Sequence, residues 1–163
     1  MDEKTATKDR ILAAAIERFK HYGYGKTTMA EIAGDSGMSP GNIYRFFESK
    51  IDIAEAMARR HYADELTPVF AIARQKGLSV EQRLHDMLLA RMRFNFKLAE
   101  GHARMAEIGG VLATERPLFV AELVAQERAF LSALIEEGIA GGVFAPTDAN
   151  AAAETIQAAV FKF

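Results

Sequence analysis

Two groups of side chains in this 163-residue chain could do chemistry, one suited to turnover and one to recognition. The first is thin. With no cysteine in the chain, disulfides, zinc–thiolate sites and thiol nucleophiles are excluded. Glu17 precedes His21 and Glu81 precedes His85 by four residues, which is not the Glu-x-x-His spacing that helical di-metal sites place on facing helices. No His-Glu-x-x-His, phosphate-binding loop or dinucleotide fingerprint occurs, so neither an enzyme nor a metal or cofactor site is expected. The second group is dense. Thr27, Thr28, Ser39, Asn42, Tyr44, Arg45 and Lys50 all carry hydrogen-bond donors and fall within one short stretch, with Pro40-Gly41 between them. Asparagine matches the donor and acceptor of an adenine edge, and arginine forks to guanine or to a phosphate. Hydroxyl, phenol and ammonium groups suit phosphate oxygens.

These donors need elements that bring them to one surface. From about Thr7 to Tyr22, Ile11, Leu12, Ala15, Ile16 and Phe19 recur at helical spacing and predict an amphipathic helix ended by Gly23 and Gly25. Thr28 with Glu31 forms a capping-box pattern, opening a second, short helix that stops near Gly37. Ser39 as N-cap and Pro40 at the first helical position start a third, expected over Pro40 to Phe47. Two short helices crossing at a tight turn need a small residue and a flexible one, which Ala33 and Gly37 supply. Ile43, Phe46 and Phe47 share one face of the third helix, leaving Pro40, Gly41, Asn42, Tyr44 and Arg45 outside. The pattern is a helix-turn-helix, whose second helix presents its N-terminal residues to base edges. The plainer alternative is a three-helix core whose Tyr44 and Lys50 are ordinary surface residues.

Half of the chain is hydrophobic, enough to bury a proper core. The net charge of −2 argues against a protein that coats nucleic acid non-specifically. No apolar run approaches membrane-spanning length, and MDEKTATKDR lacks the core of a secretion signal, so no membrane and a cytoplasmic location are expected.

The stretch TTMAEIAGDSGMSPGNIYRFFESKIDI resembles the signature of the tetracycline-repressor (TetR-type) family of bacterial regulators. The match runs from about Ile11 to Ile53 and includes IL-x-AA-x-x-x-F, the paired threonines, IA-x-x-x-G, G-x-x-Y-x-x-F and the closing S-K. Arg45 stands where the family often has histidine, and Ile51 where an acidic residue is common. The resemblance implies Thr27, Thr28, Tyr44 and Lys50 as phosphate contacts, and Ser39, Pro40, Gly41, Asn42 and Arg45 as the base-facing surface. It also implies an all-α fold: a helix-turn-helix domain over residues 1–53, then a larger helical ligand-binding and dimerisation domain over residues 54–163. The partners implied are double-stranded operator DNA, a second copy of the chain, and an unidentified small-molecule effector that releases a repressor from a near-palindromic operator.

Beyond the head, a fourth helix opens at Ser49 and Asp52 and continues past Pro68, which is expected to kink or break it. Ser79 with Gln82 starts a fifth. Gly101 and Gly109-Gly110 are expected to chop the following chain into short pieces. A long helix from Pro117 to about Ile139 is apolar on more than one face, and Phe119, Leu123, Phe130, Leu131, Leu134 and Ile135 are its candidate dimer contacts. Asp148 caps a last helix whose apolar pattern is still running at Phe163, so that helix is expected to be truncated. Arg91 and Asn95 interrupt an apolar side and either line a ligand pocket or, respectively, reach solvent and bridge a neighbour. His61, expected to face inward, and His102 are further ligand candidates. The rival classes are a small helical enzyme and a helical module that binds only proteins.

Overall fold

The computed structural model describes residues 3–100, 103–145 and 148–160. Among them there are eight helices and no strand: α1 (Glu3–Tyr22), α2 (Met29–Asp35), α3 (Pro40–Ile43), α4 (Lys50–Ala73), α5 (Val80–Glu100), α6 (Ala103–Glu115), α7 (Pro117–Ala140) and α8 (Ala149–Val160). The fold is all-α, as the periodicity requires.

Helix ends form where the side chains dictate. Gly23, at φ +85°, closes α1 through its N–H to the Phe19 carbonyl. Thr28 and Glu31 make the reciprocal capping box at the start of α2. At its other end Gly37, at φ +72°, lets the Gly37 and Met38 amides reach back to the Gly34 and Ala33 carbonyls, the paired bonds that a left-handed residue after a helix permits. Ser79 and Gln82 cap α5 in the same reciprocal way as Thr28 and Glu31, and Asp148 accepts from the Ala151 amide at the start of α8.

Three expectations about helix extent change. The third helix is regular only from Pro40 to Ile43, because the Arg45 and Phe46 amides bond three residues back and tighten the following turn. α4 runs through Pro68 without a break. α6 carries Gly109 and Gly110 inside one helix, so two glycines lower its propensity without ending it.

The chain forms two compact units. The first comprises α1, α2, α3, α4 as far as His61, α6, and α7 as far as Phe119. Its core includes Ile11, Ala15 and Phe19 of α1, Ile32 and Ala33 of α2, Ile43 of α3, Ile53, Ala54 and Met57 of α4, and Ile108 and Leu112 of α6. The second comprises the remainder of α4, α5, the remainder of α7, and α8. Leu66, Met87, Phe94, Leu131, Leu134, Ile135 and Ala153 form its interior.

Candidate nucleic-acid interface

The recognition segment is anchored by apolar side chains on one side and open on the other. Ile43 is fully buried and Phe47 nearly so, while Ser39, Pro40, Gly41, Tyr44 and Arg45 are exposed and Asn42 is half-buried. Ser39 occupies the N-cap position but makes no side-chain capping bond. A Cβ added at Gly41 would meet nothing within 4 Å, so the chain's own packing does not require glycine there. Asn42 accepts a hydrogen bond at 3.4 Å from the Arg45 guanidinium, which joins the two base-reading candidates on one outer face. Tyr44 is 54% exposed.

Two residues expected to hold phosphate point elsewhere. Thr27 is 1% exposed and its hydroxyl donates to the Gly23 carbonyl at 2.9 Å, so its side chain closes the α1–α2 loop from inside and is corrected from a contact to a loop staple. Lys50 directs its ammonium into the same loop, donating to the Tyr24 and Thr27 carbonyls at 2.6 and 2.7 Å and lying 4.2 Å over the Tyr24 ring. Burial pulls the Lys50 pKa below its ordinary value, against the raising influence of Glu107, Glu115 and Glu31. Thr28 is exposed, with its hydroxyl engaged by Glu31.

The sequence reading missed how much of the head is braced by ion pairs. Arg18 of α1 meets Glu31 and Asp35 of α2. Its guanidinium holds Asp35 below the ordinary carboxylate range, and hydrogen bonds from Thr28, then the charge of Arg18, do the same for Glu31. Arg116 bonds Asp52 at 2.7 Å and Glu55 at 3.2 Å in the first turns of α4. Glu107 of α6 accepts from the Gly25 amide at 3.3 Å. Periodicity carries no signal for these pairs, since each joins positions far apart in the chain.

The other candidate sites change more. His61 is exposed, not inward. Arg91 is 5% exposed and, instead of reaching solvent, pairs with Glu127, itself 4% exposed, at 3.2 Å. Burial pushes the Glu127 carboxyl up despite the opposing pull of Arg91. The Asn95 side chain and His102 lie outside the described residues. Of the six dimer candidates, Leu131, Leu134 and Ile135 are buried in the second unit's own core, and Phe119 is buried in the first unit beneath the Arg59 guanidinium. They are corrected to core residues, because a side chain packed inside its own chain has no face left for a second copy. Phe130 stacks on Phe70 at 4.1 Å and is half-buried, as is Leu123.

Comparison with known proteins follows the same division of labour. Residues 11–57 match the family described as bacterial regulatory proteins, tetR family, and residues 80–163 match the tetracyclin repressor-like C-terminal domain. The uncharacterized transcriptional regulator YhgD of Bacillus subtilis is 28% identical over 151 residues, 86% of this chain and 73% of that protein. The transcriptional repressor BepR of Brucella suis is 38% identical over 58 residues, 36% of this chain and 28% of that protein. A TetR/AcrR-family regulator from Thermobifida fusca superposes with a TM-score of 0.76 at 26% identity, covering 94% of this chain and 81% of its own. The regulator FadR of Bacillus halodurans gives the same score at 22% identity, covering 99% and 82%, and shows the shared fold. With both halves of the chain matched, and a capped helix-turn-helix of the matching design in the first, the chain belongs to the TetR family of bacterial transcriptional regulators.

Proposed function

We propose that this regulator is a ligand-released repressor that binds a near-palindromic operator as a homodimer in the cytoplasm. The observation that carries the DNA-reading part is the exposed Pro40–Arg45 surface, where Gly41 leaves open room and Asn42, Tyr44 and Arg45 present polar groups that the interior does not use. Ser39 and Thr28 flank this surface with hydroxyls, while Thr27 and Lys50 hold the loop behind it. Repression is supported by relatives named as repressors, among them BepR and Rv1474c of Mycobacterium tuberculosis. Pairing is proposed through α7 and α8, using Leu123, Val124 and neighbouring outward positions in place of the four buried candidates.

Effector release is proposed to act through the second unit, with Arg91 the retained contact because its guanidinium, paired with Glu127, is a charge held inside that unit. An effector releases DNA only if it binds the non-DNA conformation better than the DNA-bound one. The test is selection of bound sequences from a random duplex pool, followed by gel shifts at increasing salt. The expected result is one enriched, inverted-repeat sequence bound with a steep salt dependence. A pool that stays random after repeated rounds would overturn the proposal.

A further inference from the structure

A groove of about 620 Å³ runs along the first unit, and the recognition segment lines only part of it. Met38, Asn42 and Arg45 contribute from that segment, and Lys4, Thr7 and Arg10 from the first turns of α1. The latter three recur at every third position, which places them along one side of a helix. The lining holds three cationic side chains and one carboxylate, Glu3.

The arginines of this unit are not treated alike. Arg18, Arg59, Arg60 and Arg116 each meet a carboxylate. Arg45 bonds only the neutral Asn42, and Arg10, which is exposed, makes no ion pair among the described residues. Both arginines that have no carboxylate partner among the described side chains of this unit border the same groove, in a chain whose overall charge is −2. Such local excess suits a polyanion, because a guanidinium that displaces counterions from a phosphate strand gains affinity without reading sequence.

We propose that this groove seats a DNA backbone strand, with Arg10 of α1 as a phosphate contact, so that the interface extends from the recognition segment onto the first helix. The inference rests on the DNA-binding reading above. It assigns Arg10 to affinity and leaves base preference to Asn42 and Arg45.

The test titrates the full chain against its selected operator at several salt concentrations, comparing the native protein with Arg10→Gln, Arg10→Lys and, as a control in the second unit, Arg93→Gln. Arg10→Gln is expected to bind more weakly at low salt, with the deficit closing roughly threefold per head between about 50 and 200 mM, the dependence lost with one phosphate contact. Arg10→Lys keeps the native slope, Arg93→Gln behaves as the native protein, and the selected sequence is the same throughout. Native affinity and slope in Arg10→Gln, or a changed base preference with an unchanged slope, would overturn this inference and leave the DNA-binding reading standing. Failure of the native protein to select any sequence would overturn both.

Discussion

The Lys50 ammonium, held by the carbonyls of Tyr24 and Thr27, is committed to the loop between α1 and α2 before any DNA approaches. Tyr44 is the opposite case: its ring is mostly in solvent and packing gains little from it. The two variants therefore separate stability from binding. Lys50→Ala should lower stability by about 1.5–3 kcal/mol, the range for hydrogen bonds to a charged group, in a denaturant melt. The salt slope of operator binding should stay as it was, since no phosphate contact is lost. A slope reduced by about one, with native stability, would mean that the ammonium leaves the loop for a phosphate. For Tyr44→Ala the expectation reverses: the melt is unchanged and operator affinity at low salt falls by about 1 kcal/mol or more.

At the scale of elements, α5 and α7 are joined inside the second unit by Arg91 and Glu127, two charges removed from water. Removing one member of a buried pair leaves the other uncompensated, whereas replacing both with apolar groups of similar size is near neutral. Arg91→Met should cost about 3–5 kcal/mol in a denaturant melt, and the double variant Arg91→Met, Glu127→Leu should recover most of it. The single variant carries a pH signature. Burial already raises the Glu127 pKa and Arg91 opposes that rise, so loss of Arg91 raises it further. A carboxyl whose folded pKa lies above its unfolded value contributes stability below the unfolded value and loses it as pH rises. Arg91→Met should thus be least deficient in acid and lose ground upward from the ordinary glutamate range near pH ~4.3. A deficit that does not change with pH would show that Glu127 is not the group left uncompensated.

The whole molecule has to read DNA without a basic excess, its formal charge being −2. Affinity must come from a few placed contacts and, as proposed above, from two heads acting together. Two recognition helices held by one dimer sit about one DNA turn, ~34 Å, apart. Inserting ~5 base pairs between operator half-sites turns one of them to the opposite face of the duplex, so binding should fall to that of a single half-site, while inserting ~10 restores the facing at a new distance. Gel shifts on such a spacing series check this. Equal binding at every spacing would mean that each head acts alone.

Local chemistry was enough to read most helix ends, though not the short run of α3, the passage of α4 through Pro68 or that of α6 through Gly109 and Gly110. The capping residues Thr28, Ser79 and Asp148 and the positive-φ Gly23 and Gly37 set helix ends through contacts only a few residues long. The spacing of Ile43 and Phe47 likewise decided which side of the recognition segment stays open. Sequence alone thus determined an all-helical chain with Tyr44 and Arg45 exposed and a half-buried Asn42 beside them. What it left undecided was the partner of each side chain that reaches beyond its own element. Thr27 and Lys50 have the right donors for phosphate, yet the loop carbonyls take them. Phe119, Leu131, Leu134 and Ile135 have the right apolarity for a dimer face, yet their own core buries them. Arg91 could have met solvent, and it meets Glu127 from thirty-six positions away. Periodicity shows that a face will be covered, because burial depends only on apolar area. Which surface covers it depends on how distant segments come together, and only the tertiary structure decided that.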